Sequence, residues 1–452
     1  MQPSTPRRST ESRDLRAITA DGVSFSTMVG LGEAYVPAFV LAVGLGELVA
    51  GMIATLPMLA GALFQLVTPR AVRRLRSYRR WVVACAVLQA LSFVPLVAGA
   101  WAGRIGLVWV CAATVGYWAF GMATGPAWNA WVTSLVPPET RTRFFARRTR
   151  AGHAALLAAI MAGGLALEWG RIRDQELALF AVLFAAAIGA RLLSASYLAR
   201  QSEAPGLATR HRTLRPRGVL EAIRSAGSGG VLAYLLLMQV GVNVATPFFT
   251  PYMLGPLGLG YAEFMALTAA ALLARVLVMP WLGHVAHRHG TRRVLLIGAL
   301  GIVPLPSLWL VSHAFAYLLA LQLCAGVAWA ALEFATMLSF FEGIDERDRA
   351  SVLSGFNLAN ALAVALGTLV GAALFTRLAG TPEAYAVLFA ISTVGRLAAV
   401  GILHRATVAR EVLEWSFRTL AVRPSLGAVE RPILASVSAE PGEPAANGAA
   451  GS

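Results

Sequence analysis

The chain has 452 residues, of which 57% are hydrophobic and only 13% are charged. A water-soluble protein carries roughly 25% charged residues, so this composition excludes a soluble fold of comparable size. All 38 basic residues are arginine, and with 23 acidic residues they give a formal net charge of +15. We therefore interpret the chain as a polytopic membrane protein.

Twelve apolar segments are long enough to cross a bilayer as helices, which takes about 20 residues each. They lack the short alternation of barrel strands, so they predict an all-α fold. The segments are 23–43, 48–68, 81–101, 105–132, 151–169, 177–198, 231–254, 262–283, 294–311, 315–341, 352–374 and 384–403.

The spacing of these segments predicts two six-helix halves. The first half covers 21–199 and the second covers 229–404, and a linker rich in Arg, Pro and Gly joins them at 200–228. Residues 1–20 form a polar N-terminal tail. The C-terminal tail at 405–452 begins with apolar residues at helical spacing, which predicts a short amphipathic surface helix followed by disorder.

The arginines test this layout independently. If both termini are cytoplasmic, 31 arginines lie on the cytoplasmic side, four lie in the opposite loops and three lie within spans. Such an imbalance follows the positive-inside rule. It predicts a multi-pass protein of the cell membrane (inner or plasma membrane) with both termini in the cytoplasm. Because the charge is distributed loop by loop on one membrane face, it is explained by topology and excludes nucleic acid as a partner.

The two halves repeat each other. An acidic residue followed by alternating arginines occurs at 139–143, after the fourth span, and again 206 residues later at 345–349. Glu33 and Pro37 of the first span have counterparts, 210 residues later, in Asn243 and Pro247 of the seventh. Similar offsets in the same order indicate a parallel duplication of a six-helix unit.

A third motif follows the eighth span, where residues 283–293 read GHVAHRHGTRR. This segment resembles the cytoplasmic signature loop of the major facilitator superfamily, Gly-x-x-x-Asp-Arg-x-Gly-Arg-Arg, through Gly283, Arg288, Gly290, Arg292 and Arg293. The resemblance implies two pseudo-symmetric six-helix bundles, a central cavity, and transport of a small solute by alternating access.

Ionisable side chains at membrane depth are costly, so each is a candidate for function. Glu33 lies near the middle of the first span, where it can carry a coupling proton or meet a cationic substrate; a structural hydrogen bond is the alternative. Glu333 lies in the tenth span. Arg275, in the eighth span, keeps its charge and must pair or face water, and we expect an ion pair with Glu33 or Glu333.

In the family that the chain resembles, the first, fourth, seventh and tenth helices line the cavity. This implies that Glu33, Asn129, Asn243 and Glu333 face one space. Gln239, one turn before Asn243, adds a hydrogen-bonding group.

The aromatic face of the fourth span includes Tyr117 and Trp128; it is either a pocket for an apolar substrate or a packing surface. Arg191 and Arg396, at equivalent depths of the sixth and twelfth spans, are expected to snorkel to the interface. Gly367 and Gly371 predict close helix packing.

The sequence thus predicts a secondary transporter of the major facilitator superfamily that is coupled to protons. The aromatic fourth span favours export of an amphipathic compound; uptake of a nutrient is the alternative. The lysine-free chain cannot contain the GxxxxGK[ST] loop of ATPases, and no cofactor or metal site is indicated. A membrane-embedded enzyme or a non-transporting receptor is less favoured. We expect a monomer in the lipid bilayer whose partners are a small-molecule substrate and protons.

Overall fold

The computed structural model describes residues 6–203, 229–343 and 346–405. Across these ranges every regular element is a helix, and twelve helical segments are long and apolar enough to span a membrane. The predicted all-α, twelve-span fold is confirmed. The segments, numbered α1 to α12, are Ser12–Ala42, Glu47–Gln65, Tyr78–Trp101, Leu107–Val132, Arg147–Ile172, Glu176–Arg200, Leu232–Leu254, Tyr261–Ala286, Thr291–Leu308, Phe315–Thr336, Leu358–Arg377 and Pro382–Leu403.

Most of the predicted linker and the predicted surface helix of the C-terminal tail lie outside the described residues. The first helix begins at Pro6, within the predicted N-terminal tail.

Helix packing in one half is repeated in the other. In the first half α1 packs on α5 and α6, and α4 packs on α2 and α3; in the second half α7 packs on α11 and α12, and α10 packs on α8 and α9. The halves meet along α2 with α11 and along α5 with α8. This is the duplicated six-helix arrangement that the sequence offsets predict.

Small residues bring several helix pairs into close contact, because packing rather than hydrophobicity holds helices together in lipid. A Cβ atom added to Gly367 would lie 2.4 Å from the carbonyl oxygen of Val240, and one added to Gly371 would lie 2.3 Å from that of Val244. The predicted close packing at this glycine pair is therefore confirmed, and α7 is the partner of α11.

Two predicted connections are helical. A continuous helix, Pro138–Ile172, includes segment 139–143, and another, Glu346–Arg377, includes most of segment 345–349. The signature segment is also largely helical: the helix of α8 continues to His289 and turns at Gly290, whose φ of 83° favours glycine. Gly283 is buried in that helix, whereas Arg288, Arg292 and Arg293 are exposed.

The two halves are hydrogen-bonded at the end of the bundle opposite the chain termini, which we call the distal end. The Tyr385 hydroxyl of α12 donates to the Glu47 carboxylate of α2. The Tyr261 hydroxyl of α8 donates to the Glu176 carboxylate of α6. These two pairs, which we call the distal seal, are related by the internal repeat, since α2 corresponds to α8 and α6 to α12.

Further contacts strengthen the second pair. The backbone N–H of Tyr261 donates to Glu168 Oε2 of α5 at 2.9 Å. Glu168 is in turn ion-paired with Arg171, with 2.5 Å between the two side chains. The described contacts therefore link the two halves at the distal end.

Candidate functional site: a cavity between the halves

A cavity of about 210 Å³ lies between the two halves. The first half contributes side chains from α1 to α4, and the second half contributes side chains from α7 to α10 and from α12. The wall is mostly apolar and aromatic, with Phe93, Trp118, Phe249, Trp309 and Trp329 among its residues. A space between two halves with few polar groups has the character of a small-molecule site.

Two helices of the cavity wall, α1 and α7, are interrupted at equivalent places. A 3-10 turn, Glu33–Tyr35, interrupts α1 before Pro37, and a 3-10 turn, Thr246–Phe248, interrupts α7 around Pro247. Proline lacks an N–H and cannot continue the ladder of helical hydrogen bonds, so a break forms beside it. The break in α1 presents Glu33 to the cavity.

Glu33 is half-buried in the wall formed by the first half. The Tyr117 hydroxyl of α4 donates to Glu33 Oε2 at 2.5 Å. Phe93 packs edge-on against the Tyr117 ring, with 5.2 Å between the ring centroids. The Glu33 carboxylate is therefore oriented by a tyrosine and lies beside aromatic rings at the cavity wall.

Arg275 contributes a cation to the wall formed by the second half. It follows Phe264, Thr268 and Ala271 on the cavity-lining face of α8, at helical spacings of three and four residues. Its Nη1 lies 3.2 Å from Glu333 Oε2 of α10. Glu333 lies one turn beyond the lining residue Trp329 on α10 and is itself outside the cavity lining. Of the two expected partners of Arg275, the structure thus brings Glu333 into contact.

Arg396 and Arg191 do not snorkel to the interface, contrary to expectation, because both are buried within their own halves. Arg396 donates to the carbonyl oxygen of Ile302 at 2.8 Å and to the Ser392 hydroxyl at 3.2 Å. Because protein groups accept these hydrogen bonds, the Arg396 guanidinium does not have to reach water. Arg396 also borders the cavity.

Arg191 belongs to a buried polar cluster away from the cavity lining. It donates to the Ser194 hydroxyl at 2.7 Å, and that hydroxyl donates to Asp21 Oδ1 at 2.6 Å. The other oxygen of Asp21 lies 3.5 Å from Arg148 Nη2. One buried aspartate therefore serves two arginines and links α1, α5 and α6.

Among the described residues, five predicted ones do not line the cavity: Glu333, which contacts it only through Arg275, and Asn243, Gln239, Trp128 and Asn129. The Asn243 amide donates to the backbone oxygen of Gln239 at 2.8 Å, and Asn243 packs against Gly367 of α11. The Trp128 ring lies under the Arg148 guanidinium, 4.5 Å from it. Asn129, on the same stretch of α4, is half-buried and also lies outside the lining.

The sequence did not single out most of the aromatic lining. Phe93, Phe249, Trp309 and Trp329 lie in uniformly apolar segments, where residue type alone cannot separate a cavity wall from a lipid-facing surface. The spacing of Gln322 and Trp329 with Glu333 on α10 is a signal that could have found two of the lining residues.

Comparisons with known proteins agree with this architecture. Residues 231–424 match the family model of the Major Facilitator Superfamily. Among curated protein sequences, none matches the chain.

Solved structures share the fold at low sequence identity. A mutant of the nucleoside transporter NupG is 11% identical, with TM-score 0.68 over 86% of this chain and 99% of that chain. A D-xylose-proton symporter is 14% identical, with TM-score 0.65 over 87% and 97%. A bacterial homologue of the iron transporter ferroportin, inward-facing, is 16% identical, with TM-score 0.65 over 89% and 99%.

The family match covers the second half, and the shared fold extends over both halves, each built with the same helix packing. The signature loop and the internal repeat in the sequence agree with both findings. The chain therefore has twelve candidate membrane spans and the fold of these solved transporters, and its second half matches the family model of the Major Facilitator Superfamily.

Proposed function

We propose that the protein is a proton-coupled secondary transporter that moves a small amphipathic molecule through the cavity between its halves by alternating access. The observation that best supports this proposal is the position of the Glu33 carboxylate, which is half-buried in an aromatic cavity wall and accepts a hydrogen bond from Tyr117. A carboxylate in such a wall can bind a proton from one side of the membrane and release it to the other as the halves rock.

The groups that line the cavity bear on the choice between export of an amphipathic compound and uptake of a polar nutrient. Tyr117 and Trp118 of α4 line the cavity, which supports export of an amphipathic compound. The polar groups on the opposite wall, Thr268, Arg275 and Gln322, favour a second candidate, uptake of a polar nutrient. Export by exchange requires the proton and the substrate to compete, whereas uptake by co-transport requires them to bind together.

The proposed setting is the cell membrane, with a monomer whose termini and linker are cytoplasmic. The distribution of 31 arginines on that side supports this orientation. The distal end then faces outward. Single cysteines placed near the termini and at the distal end of the bundle, and labelled in intact cells with a membrane-impermeant reagent, test this orientation. Labelling of the terminal positions from outside the cell would contradict it.

The coupling role is tested in proteoliposomes with an imposed pH gradient. A compound that raises the melting temperature of the purified protein identifies a usable substrate. Glu33→Gln is expected to abolish movement of this compound driven by the pH gradient. Movement of the compound down its own concentration gradient is expected to remain. Glu383→Gln, a matched change at an exposed glutamate of α12, is expected to behave as the unmodified protein. An unchanged rate and pH profile in Glu33→Gln would refute the proposal.

A further inference from the structure

The Arg275 guanidinium is a buried cation with unused hydrogen-bonding capacity. The residue is 7% exposed and borders the cavity. A guanidinium has five N–H donors and keeps its charge. Among the described residues, its polar contact is with a single oxygen of Glu333, and its buried Nε reaches no hydrogen-bond acceptor. Donors left without acceptors in such a place are costly, so an additional acceptor there is stabilising.

Glu333 is a replaceable partner for this cation. One of its oxygens lies 3.2 Å from one Arg275 nitrogen, so the pair does not have the two-pronged geometry that holds arginine and carboxylate together most strongly. The Glu333 side chain is also 28% exposed, against 9% for Arg275. A partner held by a single contact can be exchanged for another anion.

Arg396 provides a contrast within the same half. It borders the same cavity, but a backbone carbonyl and a serine hydroxyl of its own half accept its hydrogen bonds. Because these acceptors belong to the fixed scaffold, Arg396 is a structural cation. Arg275 differs in having a counter-charge that can be displaced, which is the property expected of a cation that binds a ligand.

The remainder of the cavity fits an apolar body. Phe249 and Met253 of α7, Trp309 directly after α9, and Trp329 of α10 lie on the wall of the half that contains Arg275. The cavity volume of about 210 Å³ has room for a small organic molecule.

We propose that the substrate is an amphipathic organic anion, whose carboxylate or other anionic group binds Arg275 in exchange for Glu333 while its apolar body packs on the aromatic wall. The inference rests on the proposed function and names the substrate class of the same cavity. Arg275 is then the residue that determines charge specificity, and Glu333 is the competitor that the substrate must displace.

The test compares three probes of similar shape in equilibrium binding to the purified full-length protein at pH 7.5. The probes are 2-naphthylacetate, its neutral amide, and the cationic 2-(2-naphthyl)ethylamine. The unmodified protein is expected to bind the anion at least tenfold more tightly than the amide or the amine. Arg275→Gln is expected to remove this preference, and Arg275→Lys, which keeps the charge, is expected to retain part of it.

Two further variants keep the result interpretable. Glu333→Gln removes the competing charge and is expected to raise affinity for the anion by about tenfold or more. Arg377→Gln, at an exposed arginine of α11, is expected to leave all three affinities unchanged. Equal binding of the acid and the amide, weaker anion binding in Glu333→Gln, or no binding of any probe would each overturn the inference. Equilibrium binding needs no gradient, so these outcomes are separate from a failure of proton-driven transport.

Discussion

Loss of one hydroxyl at the distal seal is expected to shift the protein toward a distally open state. Tyr385 is almost completely buried, and its hydroxyl donates to the half-buried carboxylate of Glu47 across the interface between the halves. A hydrogen bond to a charged group contributes about 1.5–3 kcal/mol. We take about 1.5 kcal/mol for this bond because water can reach Glu47. Since 1.4 kcal/mol is a factor of ten, Tyr385→Phe should raise the open-to-closed ratio about tenfold.

The assay measures access to the cavity from the distal side. The three native cysteines are replaced by alanine, and Thr250 of the cavity wall is replaced by cysteine as a reporter. A membrane-impermeant maleimide added from the distal side is expected to react about ten times faster when Tyr385→Phe is present.

Tyr317→Phe is the matched control, because that hydroxyl donates to the carbonyl oxygen of Leu308 within a single half, at 2.9 Å. Its labelling rate should equal that of the parent. If Tyr385→Phe does not accelerate the reaction, or if Tyr317→Phe accelerates it equally, the distal pair does not hold the halves together.

Two other predictions concern stability and are read from melting temperatures and denaturant unfolding in detergent. Asp21→Asn removes the negative charge that Arg148 and Arg191 share, which is expected to lower the free energy of unfolding by about 3–5 kcal/mol. A decrease below about 1 kcal/mol would contradict the assigned pairing. Gly326→Ala would place a Cβ 2.2 Å from the carbonyl oxygen of Ala271 and is expected to cost about 1–3 kcal/mol. Gly401→Ala, where a Cβ meets nothing within 4 Å, should be neutral or stabilising.

The number of helices could be predicted from the sequence because the bilayer imposes it. Each crossing needs a long apolar run with its backbone hydrogen bonds satisfied internally, and the charge of each connection follows the membrane face. Glu33 and Arg275 were conspicuous for a related reason, since ionisable groups at that depth are rare unless they face a cavity or a partner.

The rotation of each helix about its axis could not be predicted. In a membrane protein both the interior and the lipid-facing surface are apolar, so periodicity gives little information about which side faces inward. Trp309 lines the cavity and is 4% exposed, whereas Trp281 is 59% exposed, although both lie in apolar stretches of sequence. For the same reason Asn243 was expected in the cavity, but it packs against α11.

The distal seal also could not be predicted from local sequence. Glu47, Glu176, Tyr261 and Tyr385 lie at the starts of four different helices, where polar residues are ordinary, and only the tertiary arrangement pairs them. Their significance follows from the order of the bundle, not from any spacing along the chain.

The seal is chemically one-sided although the fold is duplicated. Both carboxylates come from the first half and both phenols come from the second. Two copies of the first half arranged about the same axis would bring acid against acid, and two copies of the second would bring phenol against phenol. If the gene were divided at the linker and the two fragments were produced separately, the fragments should therefore assemble with each other in preference to copies of themselves.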